Sequence, residues 1–270
     1  MDASLARFEA RRAGSRGLGV VRDRAPDTKK NELKPWRTRR FCIAPDANAG
    51  FVAAMEDVLD VYQRPYDAAR PVVCLDETSK QLVAHTRARI AARPGRVACE
   101  ADEYERCGVA NVFIAVEPIK GRCEARVTER RALEDFAHFV KHLCDESYRD
   151  AESVVLVMDN LSTHSIAALY ATFEPEEAHR IARKLEIHFT PKHGSWLNMA
   201  EIELSIMNRQ CLDRRIANMA EMTTEVAAWA ASHNADATPI RWRFTTTDAR
   251  IRLERLYPRR SVAPTVSSRS

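Results

Sequence analysis

The sequence predicts an α/β protein, a mixed sheet with helices on both faces and a basic arm at each end. Three observations predict it. Three strand-like runs come early: PVVCLDE (71–77), NVFIAVEP (111–118) and RCEARVT (122–128). Helical and strand patterns then alternate, the order of a sheet sandwiched by helices. One later run, SVVLVMDN (153–160), is apolar without interruption, as a strand buried on both faces should be.

In chain order, residues 1–46 are polar and basic and read as a linker or arm, with the run KKNELKPWRTRR around Trp36. Residues 47–70 form a lead-in. Phe51, Met55, Val58 and Leu59 stand at helical spacing there, with Asp46 or Asn48 as the cap. The body runs over 71–234. Lys120-Gly121 marks the turn between the second and third strands. RALEDFAHFVKHLCDES (131–147) places Leu133, Phe136, Val140, Leu143 and Cys144 on one helical stripe. Residues 165–184 are helical in composition and broken near Pro175. LEIHFTP (185–191) is a further strand and NMAEIELSIMNRQCL (198–212) a further helix. Residues 85–108 form a long charged insert with no clear period, and loops of this length are often functional. Residues 235–270 are an arginine-rich tail ending in SVAPTVSSRS, a composition that suits disorder.

Charge and cysteine usage narrow the function classes. The formal net charge of +4 conceals an asymmetry: 1–40 is net +7, 240–270 net +6, and 41–239 net −9. Basic ends suit a phosphate backbone. The DNA-contact candidates are Lys29, Lys30, Lys34, Trp36, Arg37, Arg39 and Arg40 at one end, and Arg241, Trp242 and Arg243 at the other. No run approaches the ~18 apolar residues of a membrane span, and the N-terminus has no secretory pattern. Seven dispersed cysteines without a Cys-x-x-Cys pair point to a reducing cytoplasm and against structural zinc.

Two apolar runs end in aspartate, at Asp76 and Asp159. Strand alternation puts Val72, Cys74 and Asp76 on one face, and likewise Val155, Val157 and Asp159. Such a carboxylate either terminates a strand at the water boundary or belongs to a site. A third acid, Glu201, stands on the first turn of the helix that follows a Gly-Ser-Trp loop. Asn198 and Glu201 also fit a capping box, which offers Glu201 a purely structural role. Carboxylates from two strands and a helix are what two oxygen-seeking magnesium ions require. In such a site one ion activates the attacking oxygen and the other stabilises the leaving one. Glu77 points to the opposite face from Asp76 and is structural or supports the site from behind.

VVCLDE, VMDNLSTH and HFTPKHGSWLNMAEIE resemble the three signatures of the Tc/mariner superfamily of DDE transposases, in its bacterial insertion-sequence branch. The resemblance spans about 29–258. It implies a ribonuclease-H-like fold over 71–234 and two Mg2+ ions, for which Mn2+ can substitute, on Asp76, Asp159 and Glu201. It also implies cleavage of transposon ends and strand transfer into target DNA, by a homodimer or higher oligomer in a bacterial cytoplasm. Asn160 and His164 match the second signature, His193, Trp196 and Asn198 the third, in supporting roles. The Asp159-to-Glu201 interval is longer than in the animal elements. The resemblance further implies helix-turn-helix domains ahead of Asp76, which the single amphipathic helix there does not supply, so the chain is expected to lack them. The alternative from another class is a catalytically silent remnant that binds DNA or a partner subunit.

Overall fold

The computed structural model describes residues 48–258. Within them a five-stranded sheet has the order β3-β2-β1-β4-β5. Strands β1 (Val72–His85), β2 (Tyr104–Glu117) and β3 (Arg122–Thr128) form an antiparallel meander. Strands β4 (Val154–Met158) and β5 (Leu185–Phe189) add parallel to β1. The sheet is mixed because β3 leads into helix α2 (Leu133–His142), and only a crossover of that length returns the chain to lie parallel to β1.

Alternation along the strands divides the core in two. Cys74, Val112, Ile114, Val155 and Val157 point to one face, beneath α1 (Ala49–Tyr62), α5 (Ala200–Met207) and α6 (Met219–Asp236). Val73, Leu75, Phe113, Leu156 and Met158 point to the other. That face is covered by α2, α3 (Ile166–Thr172) and α4 (Pro175–Arg183). β4 is therefore buried along its whole length, as its unbroken apolar run requires. Each large aliphatic or aromatic side chain removed from water here contributes about 1.5–3 kcal/mol.

The helix ends follow their sequence signals. Asn48 caps α1, its Oδ1 accepting from Phe51 N at 3.0 Å. Pro175 opens α4, where its missing N–H costs nothing. α2 and α5 both continue into a π-helical turn, to Ser147 and Leu212. Two helices lie where no clear pattern announced them: α6, and α7 (Thr246–Arg252) in the arginine-rich tail. α6 buries Met222, Val226 and Trp229, but its inner face also carries His233 and Asn234, which break the apolar stripe. The Asn234 amide accepts from Cys123 N and donates to Cys123 O, both at 2.8 Å, so this helix covers edge strand β3 as a strand partner would. The tail up to 258 packs on the α1 face through Ile240, Trp242, Phe244 and Leu256.

The insert at 85–108 is a hairpin arm rather than an unstructured loop. β1 and β2 are each 14 residues long, and they pair past the rest of the sheet up to His85 and Tyr104. Two further bridges, Ile90–Cys99 and Arg93–Arg96, carry the same register toward a Pro94-Gly95 turn. The charged, polar sequence after Glu77 concealed this strand: Leu82 alone packs into the core, and from His85 to Val97 the arm is exposed on both faces and has no burial pattern to show.

Candidate active site

The three acids of the sequence reading lie near one another, around the point where β4 ends beside β1. Cys74 is paired with Val157 in the parallel register, so two residues further on Asp159, just past the end of β4, stands level with Asp76, which lies within the longer β1 rather than at its end as the sequence suggested. Asp76 shares the face of Cys74 and is 9% exposed. α5 brings Glu201 toward them from its first turn. Burial pushes the Asp76 carboxyl up to about 7, and the negative charges of Glu201, Glu77 and Asp159 add to that rise. A hydrogen bond from Glu77 N to Asp76 Oδ1, 2.9 Å, opposes it. Burial also raises Glu201, as does the charge on Asp159, against a hydrogen-bonding pull from Ser195. The acids feel one another. Among the described residues, however, no three His, Cys, Asp or Glu groups are gathered tightly enough to hold a metal ion.

The two glutamates of α5 go separate ways. Glu203 is buried among Ala200, Leu204 and Met207 and faces His233 on α6, Oε2 to Nε2 3.2 Å. Glu201 lies about 200° around the helix from it and is free to face the aspartates. The expected capping box is absent. Met199 takes the cap position, and Asn198 spends its amide elsewhere: Oδ1 accepts from Ala200 N at 3.1 Å, and Nδ2 donates to Leu75 O at 2.9 Å. Glu201 thus has no capping duty.

His164 lies on the opposite side of Asp159 from solvent, with its side chain fully buried. Nδ1 is 2.6 Å from Asp159 Oδ1, and Nε2 is 2.9 Å from Glu77 Oε2 without hydrogen-bond alignment. Burial works against a charged imidazole, but the two carboxylates outweigh it and push His164 up to about 9. The bond from His164 in turn holds Asp159 below the usual carboxylate range. Glu77, on the opposite face from Asp76, also pairs with Arg131 at 3.2 Å.

The remaining candidates scatter. Asn160 and His193 are exposed, and among the described residues no hydrogen bond ties either to the three acids. His193 has a left-handed backbone, φ 65°, at the turn before Gly194. A Cβ on Gly194 would fall 2.5 Å from the Pro191 ring, so the loop into α5 needs glycine there. Trp196 packs edge-on against Phe244, with centroids 6.0 Å apart. Trp242, a stacking candidate for DNA, packs instead against Tyr62 at 5.3 Å and donates its indole N–H to Phe244 O. Arg241 and Arg243 beside it are exposed. Lys29, Lys30, Lys34, Trp36, Arg37, Arg39 and Arg40 lie outside the described residues.

Sequence reasoning missed two supports. Arg131 anchors Glu77, and Tyr62 of α1 donates from its hydroxyl to Leu197 O at 2.7 Å, steadying the loop that carries Asn198. Neither could be read from spacing, since each reaches its partner across more than 50 residues of chain.

Residues 71–223 match a family described as DDE superfamily endonuclease, more than half of the chain. The chain belongs to this family. Its matched span contains Asp76, Asp159 and Glu201. No curated protein matches. Among solved structures, the Mos1 strand transfer complex aligns with a TM-score of 0.50 at 14% identity, covering 76% of this chain and 60% of that one. The Mos1 transposase paired-end complex with left transposon end aligns at 0.49 and 13%, and a Mos1 mariner paired-end complex with Mn at 0.47 and 14%. The chain spans about 60% of the length of these proteins. The likeness is one of fold: this member of the DDE endonuclease family has the mixed sheet of a ribonuclease-H-like domain. Among the described residues no helix is long and apolar enough to cross a membrane.

Proposed function

We propose that this chain is the catalytic domain of a DNA transposase of the insertion-sequence type, cleaving transposon ends and joining them to target DNA. The observation that supports it best is the approach of Asp159 and Glu201 to Asp76, close enough for their charges to act on it, inside the span matched by the endonuclease family. Asp76 and Glu201 are raised by burial and further by neighbouring negative charge, which a divalent cation beside them would relieve. Asp76, Asp159 and Glu201 would hold Mg2+ or Mn2+. When bound, such ions supply an activated oxygen nucleophile and stabilise the leaving oxygen of the phosphodiester.

The chain's own residues prepare that site. His164 holds the Asp159 carboxylate through Oδ1. Asn198 fixes the start of α5 against the end of the Leu75–Asp76 segment. The proposed catalytic unit is 71–234, with α1 and the tail to 258 packed on one face. DNA is the proposed partner, and assembly as a homodimer or larger oligomer on DNA goes with the same reading.

One observation favours the second reading, a silent DNA-binding or subunit-contact remnant: the acids do not close into a ligand cluster. Nicking of supercoiled plasmid by the purified chain decides between them. Cleavage in Mg2+ or Mn2+ that is lost with chelator and in Asp76→Asn supports the enzyme. A chain that binds DNA but never nicks it supports the remnant.

A further inference from the structure

The arm built on β1 and β2 leaves the sheet beyond the point where the acids lie. β1 runs parallel to β4, so the chain beyond Asp76 continues past the level of Asp159, stays packed as far as Leu82 and Val83, and stands exposed from His85 onward. Asp76 and Arg93 are separated by 17 residues, so at ~3.3 Å per residue the tip can stand on the order of 50 Å beyond the site.

The tip has an unusual charge. Residues 86–99 contain four arginines and no acid, in a body whose net charge is −9. At the base of the arm charges are matched: Arg87 lies 3.9 Å from Glu103, and His85 3.8 Å from Glu100. Arg89, Arg93 and Arg96 are exposed, and none has an acidic partner among the described residues. Arg93 and Arg96 are moreover a directly opposed pair. Their backbones exchange hydrogen bonds of 3.0 and 2.8 Å across Pro94-Gly95, and Gly95 has φ 76°, a type II turn. Directly opposed like charges destabilise a hairpin. Among the described residues no acid relieves this pair, whereas an anion between the two guanidiniums would. Arginine forks suit phosphate oxygens in particular.

We propose that the arm tip is a phosphate-backbone clamp, with Arg93 and Arg96 holding DNA at a distance from the cleavage site and Arg89 beside them. This rests on the reading of the chain as a DNA-processing enzyme and adds where the flanking duplex is gripped. The contact is to phosphates and so positions DNA without reading sequence. The register puts Ile90, Ala92, Val97 and Cys99 on the other face of the arm, with Ile90 63% and Val97 83% exposed, so a second copy of the chain is the competing occupant.

The test is a fluorescence-anisotropy titration of a 40-base-pair duplex with the full chain at several salt concentrations. Arg93→Ala/Arg96→Ala should weaken binding at low salt and reduce the slope of log K against log[salt] by about 1.8, at ~0.9 per phosphate contact. Arg93→Lys/Arg96→Lys should restore most of the slope. Arg149→Ala/Arg183→Ala removes equal charge from exposed positions outside the arm and should leave the slope within error of wild type. Equal slopes for wild type and the Arg93/Arg96 variant would overturn the clamp, and a shift in sedimentation coefficient in that variant alone would assign the arm to a subunit contact. A wild-type chain that binds no duplex at any salt would instead remove the DNA reading itself.

Discussion

Asn198 donates from Nδ2 to the carbonyl oxygen of Leu75 across 2.9 Å, joining the segment before α5 to the residue immediately before Asp76. Both ends of the bond are buried, and the two residues lie 123 positions apart in the chain. The same amide caps Ala200 N. One side chain thus sets the spacing between the strand that carries the first acid and the helix that carries the third. Asn198→Ala leaves the Leu75 carbonyl and the Ala200 N–H unpaired. It should cost about 1–3 kcal/mol in urea unfolding and reduce metal-dependent nicking more than a destabilisation of that size explains at the assay temperature. Wild-type nicking by a clearly destabilised Asn198→Ala would show that the bond serves folding alone.

Asp76 predicts a pH dependence of the metal-free protein. Its carboxyl is raised to about 7 by burial and by neighbouring acids, against an ordinary value near 3.8. Between those values the folded chain keeps a proton that the unfolded chain has released, so this group's contribution to stability falls as pH rises from about 4 to 7. The full effect is on the order of 4 kcal/mol. Asp76→Asn should remove nicking, keep the fold, and melt at a higher temperature than wild type at pH 7 in chelator. A lower melting temperature for Asp76→Asn under those conditions would contradict this account.

His164 acts in a higher window. Its imidazole is raised from near 6.5 to about 9, its burial outweighed by Asp159 and Glu77. Its stabilisation is complete below pH 6.5 and is lost as pH rises through 9. His164→Gln, which keeps the ring's volume roughly but not its charge, should flatten the stability profile between those values. The measurement is a series of thermal melts in chelator from pH 6 to 9.5.

The two glutamates of α5 should separate activity from folding. Glu201→Gln is expected to fold normally and to lose nicking. Glu203→Ala removes a buried side chain and the partner that faces His233, and should cost about 1–3 kcal/mol. Replacing both members, Glu203→Leu with His233→Leu, should recover most of that loss, since apolar side chains of similar volume fill the space and leave no polar group facing it unpaired. Urea midpoints of the three variants read the stability side. An active Glu201→Gln beside a stable, inactive Glu203→Gln would exchange their roles.

Much of this protein was determined by its sequence alone. The apolar run at 153–160 needed burial on both faces and could only be a central strand. Alternation placed Cys74 with Asp76 and Val157 with Asp159, and Pro175 divided one helical stretch into two. These are local periodicities, legible because burial on one face imposes a period of two or of 3.6 residues. The tertiary structure decided what no local period encodes. The outer arm is solvated on both faces and only Leu82 at its base is buried, so no period in 78–109 marked it as paired strand. α6 remained hidden because its inward His233 and Asn234 serve a buried glutamate and an edge strand, both distant in sequence. The choice between Glu201 and Glu203 as the acid facing the aspartates, and the release of Glu201 from capping, depended on how α5 rolls against β1 and α6. That roll is set by packing and by the Asn198–Leu75 bond, a contact whose partners only the folded chain brings together.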